Sequence, residues 1–286
     1  MTLDMQHKTT KIMDNELHYW TTGSLDKQAI ILIHGFTGDH RGFYKIAPLL
    51  AKQYTVITLD LPGFGQSKIG NKTMSVELHT QTVAHLIKHL DCNQPPIVLG
   101  HSYGSLVVAE LQATCPELTA EKTIFVSPVA TPITLIDSRS VGRLFSQLYF
   151  FFGAYGGSLG MHLLKSHLLT KIITNHMLTT RDIELKKEIH SEHIENSKYI
   201  QQPKQNYGLF REINKNGIVK YAPDIPKKVL IISGNKDSQC PIKQQKKAVQ
   251  AFRRATLVEL DRAGHLSHYE EPESIAESIV NFLNHQ

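Results

Sequence analysis

The sequence predicts an α/β protein: a central, mostly parallel sheet flanked by helices, interrupted by a helical insertion. Three observations predict it. Short, continuous apolar runs recur along the chain, as strands covered on both faces require. Helical patterns separate them, which is the rhythm of βαβ units. Between residues 129 and 221 the strand signal stops, and only helical spacing remains. The expected division is a core of residues 1–128 and 222–286 around a helical cap of residues 129–221.

Each element has its own signal. Lys11–Met13 and Glu16–Thr21 flank Asp14-Asn15 and read as an antiparallel hairpin. Ala29–Ile33 and Thr55–Leu59 are apolar, β-branched runs, hence strands. Phe43–Lys52 reads as a helix between them. Thr73–Leu90 has helical apolar spacing, with Thr73 as its N-cap. Ile97–Leu99 is a strand, Ser105–Ala113 a buried helix and Glu121–Val126 a further strand. In the insertion, Met161, Leu164, Leu168, Ile172 and Ile173 keep helical spacing, and Thr179-x-x-Asp182 reads as a capping box. Beyond it come a strand at Lys228–Ile232, a helix at Lys243–Phe252, a strand at Thr256–Leu260 and a final helix at Pro272–Leu283.

Composition narrows the function classes. The 286 residues carry a net charge of +5, with lysines spread along the chain rather than clustered with aromatics, which argues against nucleic-acid binding. Three cysteines without CxxC spacing suit a reduced compartment and neither a disulfide framework nor a zinc ribbon. The first ten residues lack a signal peptide's apolar core, and no run supplies about 20 apolar residues for a membrane span. A cytoplasmic location without membrane contact is expected; oligomeric state is left open.

Gly100-His101-Ser102-Tyr103-Gly104 carries the chemistry. A serine between a strand and a helix sits on a tight, strained corner that exposes its hydroxyl at the sheet edge. That hydroxyl is a poor nucleophile until a base takes its proton, and a buried carboxylate must orient the base. Asp237 follows the strand ending at Ile232, and His265 follows the last strand. Both therefore fall at carboxyl ends of strands, where α/β proteins gather their ligands. The chain order Ser102, Asp237, His265 matches one convergent class of triad. Asp137 is an alternative acid, and His268 a rival to His265. An oxyanion hole also needs two amides. Tyr103 supplies one, and Phe36 in His34-Gly35-Phe36-Thr37-Gly38 supplies the other.

These segments, with Asp60-Leu61-Pro62-Gly63-Phe64-Gly65-Gln66-Ser67, Gly234-Asn235-Lys236-Asp237 and Gly264-His265, resemble the α/β-hydrolase superfamily in its capped serine-hydrolase form. The motifs run in order across almost the whole chain. Ser102 departs from the epoxide-hydrolase and dehalogenase relatives, whose elbow nucleophile is aspartate. The single-glycine oxyanion loop resembles that of esterases and lipases. The resemblance implies hydrolysis of carboxylic esters of small to medium, fairly apolar substrates through an acyl-enzyme, without metal or organic cofactor. Thioester, amide and carbon–carbon bond hydrolysis use the same triad, and a non-catalytic small-molecule receptor is the alternative from another class.

The remaining features read more plainly. Asp60 and Ser67 turn the chain, and His34 supports the oxyanion loop. His85 with His89, and His190 with His193, read as solvated helix faces rather than zinc ligands. The aromatic cluster Phe145, Tyr149, Phe150, Phe151, Phe152 and Tyr155 admits three readings. It could pack the cap, line an acyl pocket (Phe145, Tyr149 and Phe152 being the candidates) or rest on lipid.

Overall fold

The computed structural model describes residues 5–132 and 141–285. Its elements are β1 (Gln6–Ile12), β2 (Asn15–Thr22), β3 (Ala29–Ile33), α1 (Ala47–Leu50), β4 (Thr55–Leu59), α2 (Val76–Leu90), β5 (Ile97–His101), α3 (Gly104–Thr114) and β6 (Lys122–Val126). Five helices follow: α4 (Val141–Tyr155), α5 (Gly157–Leu164), α6 (His167–Met177), α7 (Ile183–Lys198) and α8 (Pro203–Lys215). The chain closes with β7 (Lys228–Gly234), α9 (Ile242–Ala251), β8 (Ala255–Leu260), α10 (Ser267–Glu270) and α11 (Pro272–Asn284).

The eight strands form one sheet in the order β1-β2-β4-β3-β5-β6-β7-β8. β1 and β2 form an antiparallel hairpin, β2 pairs antiparallel with β4, and every other pairing is parallel. Both faces of the sheet are covered, which explains the unbroken apolar runs. Along β3, Ile31 and Ile33 join a core with α2 and α3, while Ile30 and Leu32 join a second core with α1 and α11. Each such aliphatic side chain removed from water contributes roughly 1.5–3 kcal/mol.

The chain leaves β3 toward β4 on one side and returns to β5 on the other. Connections thus diverge at the carboxyl ends of β3 and β5, a topological switch point that opens a crevice there. The loops carrying Phe36 and Ser102 leave from those two ends.

Local chemistry moved several predicted boundaries. Ser75, not Thr73, caps α2, its hydroxyl accepting from the Leu78 amide at 3.0 Å. Asp182 rather than Thr179 caps α7, accepting from the Glu184 and Leu185 amides. Thr179 instead donates its amide to Glu270. The helix expected at Phe43–Lys52 is a short 3-10 turn followed by the four-residue α1. No helix among the described residues is long and apolar enough to cross a membrane.

Candidate active site

Ser102 sits at the corner between β5 and α3 with φ of 49°, a left-handed conformation that costs a serine about 1–3 kcal/mol. Its neighbours make the corner possible. A Cβ on Gly100 would stand 2.4 Å from the Gly104 carbonyl oxygen, and one on Gly104 would stand 2.2 Å from that of Ile33. The Ser102 amide is tied to the Val126 carbonyl at 3.0 Å, fixing the corner to the next strand.

Three loops converge on this serine. His265 Nε2 accepts from the Ser102 hydroxyl at 2.9 Å, and His265 Nδ1 donates to Asp237 Oδ2 at 2.9 Å. The other Asp237 oxygen accepts the Gln239 and Cys240 amides at 2.8 and 2.7 Å, so the carboxylate is fully engaged and fixed in direction. Burial pulls the His265 pKa down, but the Asp237 charge, Cys240 and their hydrogen bonds outweigh it and hold the imidazole well above its ordinary value. The loop bearing His265 is clamped from outside the sheet. The His265 amide donates to the Met177 carbonyl at 3.1 Å, and Glu270 accepts the amides of Gly264, Thr179 and Thr180.

The loop after β3 lies directly against the serine. A Cβ on Gly35 would stand 3.3 Å from Ser102 Cβ and 3.0 Å from His101 Nδ1, so only glycine allows this approach without displacement. His34 holds the loop's shape. Its Nδ1–H donates to the Gly35 carbonyl at 2.8 Å, leaving Nε2 to accept the Leu61 amide at 3.0 Å. Among the described residues, the amides of Phe36 and Tyr103 donate to no other group.

A cavity of about 730 Å³ lies between these loops and the helical insertion. One part is aromatic: Phe36, Phe150 and Phe210 meet with ring centroids 4.8–5.9 Å apart. Phe145 and Tyr149 also line it, whereas Phe152 does not and stands 53% exposed on the outside. Another part is polar and was not legible in the sequence. Glu192, His193 and Asn196 of α7 reach the cavity, although His193 had the pattern of a solvated face. His193 Nδ1 bonds Thr174 at 2.8 Å, and burial pushes its pKa down to about 4. Burial likewise pushes Glu192 up to about 7, against a hydrogen bond from the Tyr269 hydroxyl.

The other predicted residues fall as follows. His268 is buried against the tilted rings of His101 and Tyr269 rather than bonded to Ser102. Asp137 lies outside the described residues. His85 and His89 are exposed on α2. Asp60 accepts the His40 and Gln66 amides and Ser67 the His18 amide, so both hold the turn. Two groups have metal-ligand spacing, their ligand atoms lying within 4.8 Å: Asp237 with Cys240 and His265, and Asp39 with His40 and Asp60. Asp60 in the second is already saturated by backbone amides and His40, and Asp39 pairs with Arg41.

The sequence pattern of the alpha/beta hydrolase family matches residues 30–278. The chain belongs to this family. Among its relatives, an uncharacterized hydrolase of Bacillus subtilis, YugF, is 26% identical over 281 residues, covering 93% of this chain and 92% of that protein. A putative esterase/lipase of Haemophilus influenzae is 25% identical over 91% of this chain and 85% of its own length. Solved structures agree in fold. The enol-lactonase of Burkholderia xenovorans superposes with a TM-score of 0.79 at 21% identity, over 97% of this chain and all of that one (100%). The 2-hydroxy-6-oxo-6-phenylhexa-2,4-dienoate hydrolase of a Rhodococcus strain gives 0.81 at 19%, over 99% and 100%. This alpha/beta hydrolase is therefore similar to enzymes that share its scaffold and differ in their substrates.

Proposed function

We propose that this alpha/beta hydrolase is a serine hydrolase that cleaves carboxylic esters of small to medium, fairly apolar substrates. The observation that carries this reading is the pair of 2.9 Å hydrogen bonds running from Ser102 through His265 to Asp237, beside two unclaimed amides. His265 takes the hydroxyl proton as Ser102 Oγ attacks the carbonyl carbon, and Asp237 keeps the imidazole in the required tautomer. The Phe36 and Tyr103 amides receive the developing oxyanion. His265 then returns the proton to the leaving alcohol, and water activated by the same histidine releases the acid from Ser102. Helices α4–α8 act as a cap, and the aromatic wall of Phe36, Phe150 and Phe210 favours an apolar acyl group.

A fluorophosphonate probe tests the assignment. Wild-type protein is expected to be labelled on Ser102, and a Ser102→Ala variant to remain unlabelled. Equal labelling of both rejects the nucleophile, and unlabelled, folded wild type favours a receptor. Turnover of p-nitrophenyl esters is expected to rise with acyl length; activity confined to acetate argues against the apolar wall.

A further inference from the structure

The helical insertion carries an apolar stripe, most of which lies outside the active-site cavity. On α4, Leu144, Phe145, Leu148, Phe151, Phe152 and Tyr155 are exposed at helical spacing, so they occupy one face. Leu159 on α5 and Leu168 and Ile172 on α6 are exposed as well. Monomeric soluble proteins rarely leave so many large apolar side chains together in water.

Charge identifies what covers this face. From Leu144 to Arg181 the sequence contains no aspartate or glutamate, while it holds Lys165, Lys171 and Arg181. Carboxylates resume at Asp182 and Glu184, at the start of α7. Lys165 and Lys171 are exposed beside the stripe, and Lys204 of α8 lies over the Tyr155 ring at 5.9 Å. A second copy meeting this face with its own identical face would bring lysines against lysines with no counter-charge. An anionic bilayer supplies both requirements, an apolar interior for the stripe and negative headgroups for the cations.

The stripe is continuous with the cavity. Phe145 and Ile172 belong to the exposed face and also line the cavity that holds Ser102. We infer that α4–α6 form a docking surface for an anionic lipid bilayer, through which esters dissolved in the membrane reach the active site. Docking is independent of catalysis, whereas the delivery of esters rests on the hydrolase reading above. It departs from the sequence expectation of no membrane contact.

Cosedimentation of Ser102→Ala protein with phosphatidylcholine vesicles, with and without phosphatidylglycerol, tests the docking without turnover. Binding is expected only with phosphatidylglycerol, and it should weaken in about 0.5 M salt. A Phe151→Ser/Phe152→Ser variant and a Lys165→Glu/Lys171→Glu variant should each bind at least roughly tenfold more weakly. In the wild-type background the Phe151→Ser/Phe152→Ser variant should keep its rate on a water-soluble ester, since neither side chain lines the cavity. Absence of binding, equal binding to neutral vesicles, or unchanged binding by both variants overturns the proposal. So does a dimer in sedimentation velocity that Phe151→Ser/Phe152→Ser dissociates, which would assign the face to a second copy. Fluorophosphonate labelling without vesicle binding defeats the docking alone; vesicle binding without labelling defeats the hydrolase reading alone.

Discussion

The Tyr103 hydroxyl donates to Nδ1 of His79, whose Nε2–H in turn donates to the Pro62 carbonyl at 2.9 Å. The residue whose amide is assigned to the oxyanion is therefore anchored at its far end to α2 and to the turn after β4. Burial drives the His79 pKa down to about 3, so the ring is a neutral acceptor with its tautomer set by Pro62. Tyr103→Phe would leave that buried nitrogen without a donor. A loss of about 1–3 kcal/mol is expected in urea unfolding, with the nucleophile still labelled. An unchanged midpoint would mean that the anchor contributes nothing.

The pH dependence follows from His265. Only the neutral imidazole can take the Ser102 proton, and Asp237 and Cys240 raise its pKa well above 6.5. A raised pKa keeps the charged, inactive form to higher pH. The rate of ester hydrolysis (kcat/KM) should therefore climb with pH, with its half-maximal point above 6.5. A plateau already reached below that value would show that the base is not this group.

Gly35→Ala tests the oxyanion loop apart from the serine. The added Cβ meets His101 Nδ1 at 3.0 Å and Ser102 Cβ at 3.3 Å, so the packed loop and its neighbours must give by a few tenths of an ångström, which moves the Phe36 amide from its place. Loss of one oxyanion donor costs on the order of a hundredfold or more in kcat. Burst kinetics on a p-nitrophenyl ester should show this slowing while thermal unfolding changes little. A rate within about twofold of wild type would remove Phe36 from the assignment.

Glu192 provides a stability test with a defined sign. Its folded pKa is raised from 4.5 to about 7, first by burial and then by Asp39. Between those values the unfolded chain releases a proton that the folded protein keeps, so stability is lost as pH rises through about 7. Gln at this position cannot ionise and still accepts from Tyr269. The stability of Glu192→Gln relative to wild type should therefore grow from about pH 5 to about pH 8, by roughly 1–3 kcal/mol. A gap that stays constant with pH would show that Glu192 ionises freely in the cavity.

The core was legible because β3 to β7 are covered on both faces. Such burial requires unbroken apolar runs, and Ala29–Ile33 and Thr55–Leu59 match the observed strands residue for residue. The corner at Ser102 was legible for a similar local reason, since the close approach of backbone atoms at Gly100 and Gly104 excludes any side chain. Cap positions such as Ser75 were not, because Thr73 and Ser75 are both capping types and the backbone conformation decides which meets the Leu78 amide.

By itself, the sequence determined the sheet, the strained serine and the chain order of Ser102, Asp237 and His265. Those features depend on neighbours in the chain or on a repeating pattern. Tertiary structure alone decided that Phe152 faces outward while Phe145 and Tyr149 line the cavity, and that His193 turns inward beside Glu192. Apolar side chains stand on both the exposed and the cavity-facing sides of α4, so contacts with α5, α6 and α8 set its rotation. The meeting of Ser102, Asp237 and His265 likewise depends on the parallel alignment of β5, β7 and β8, which no local stretch of residues contains.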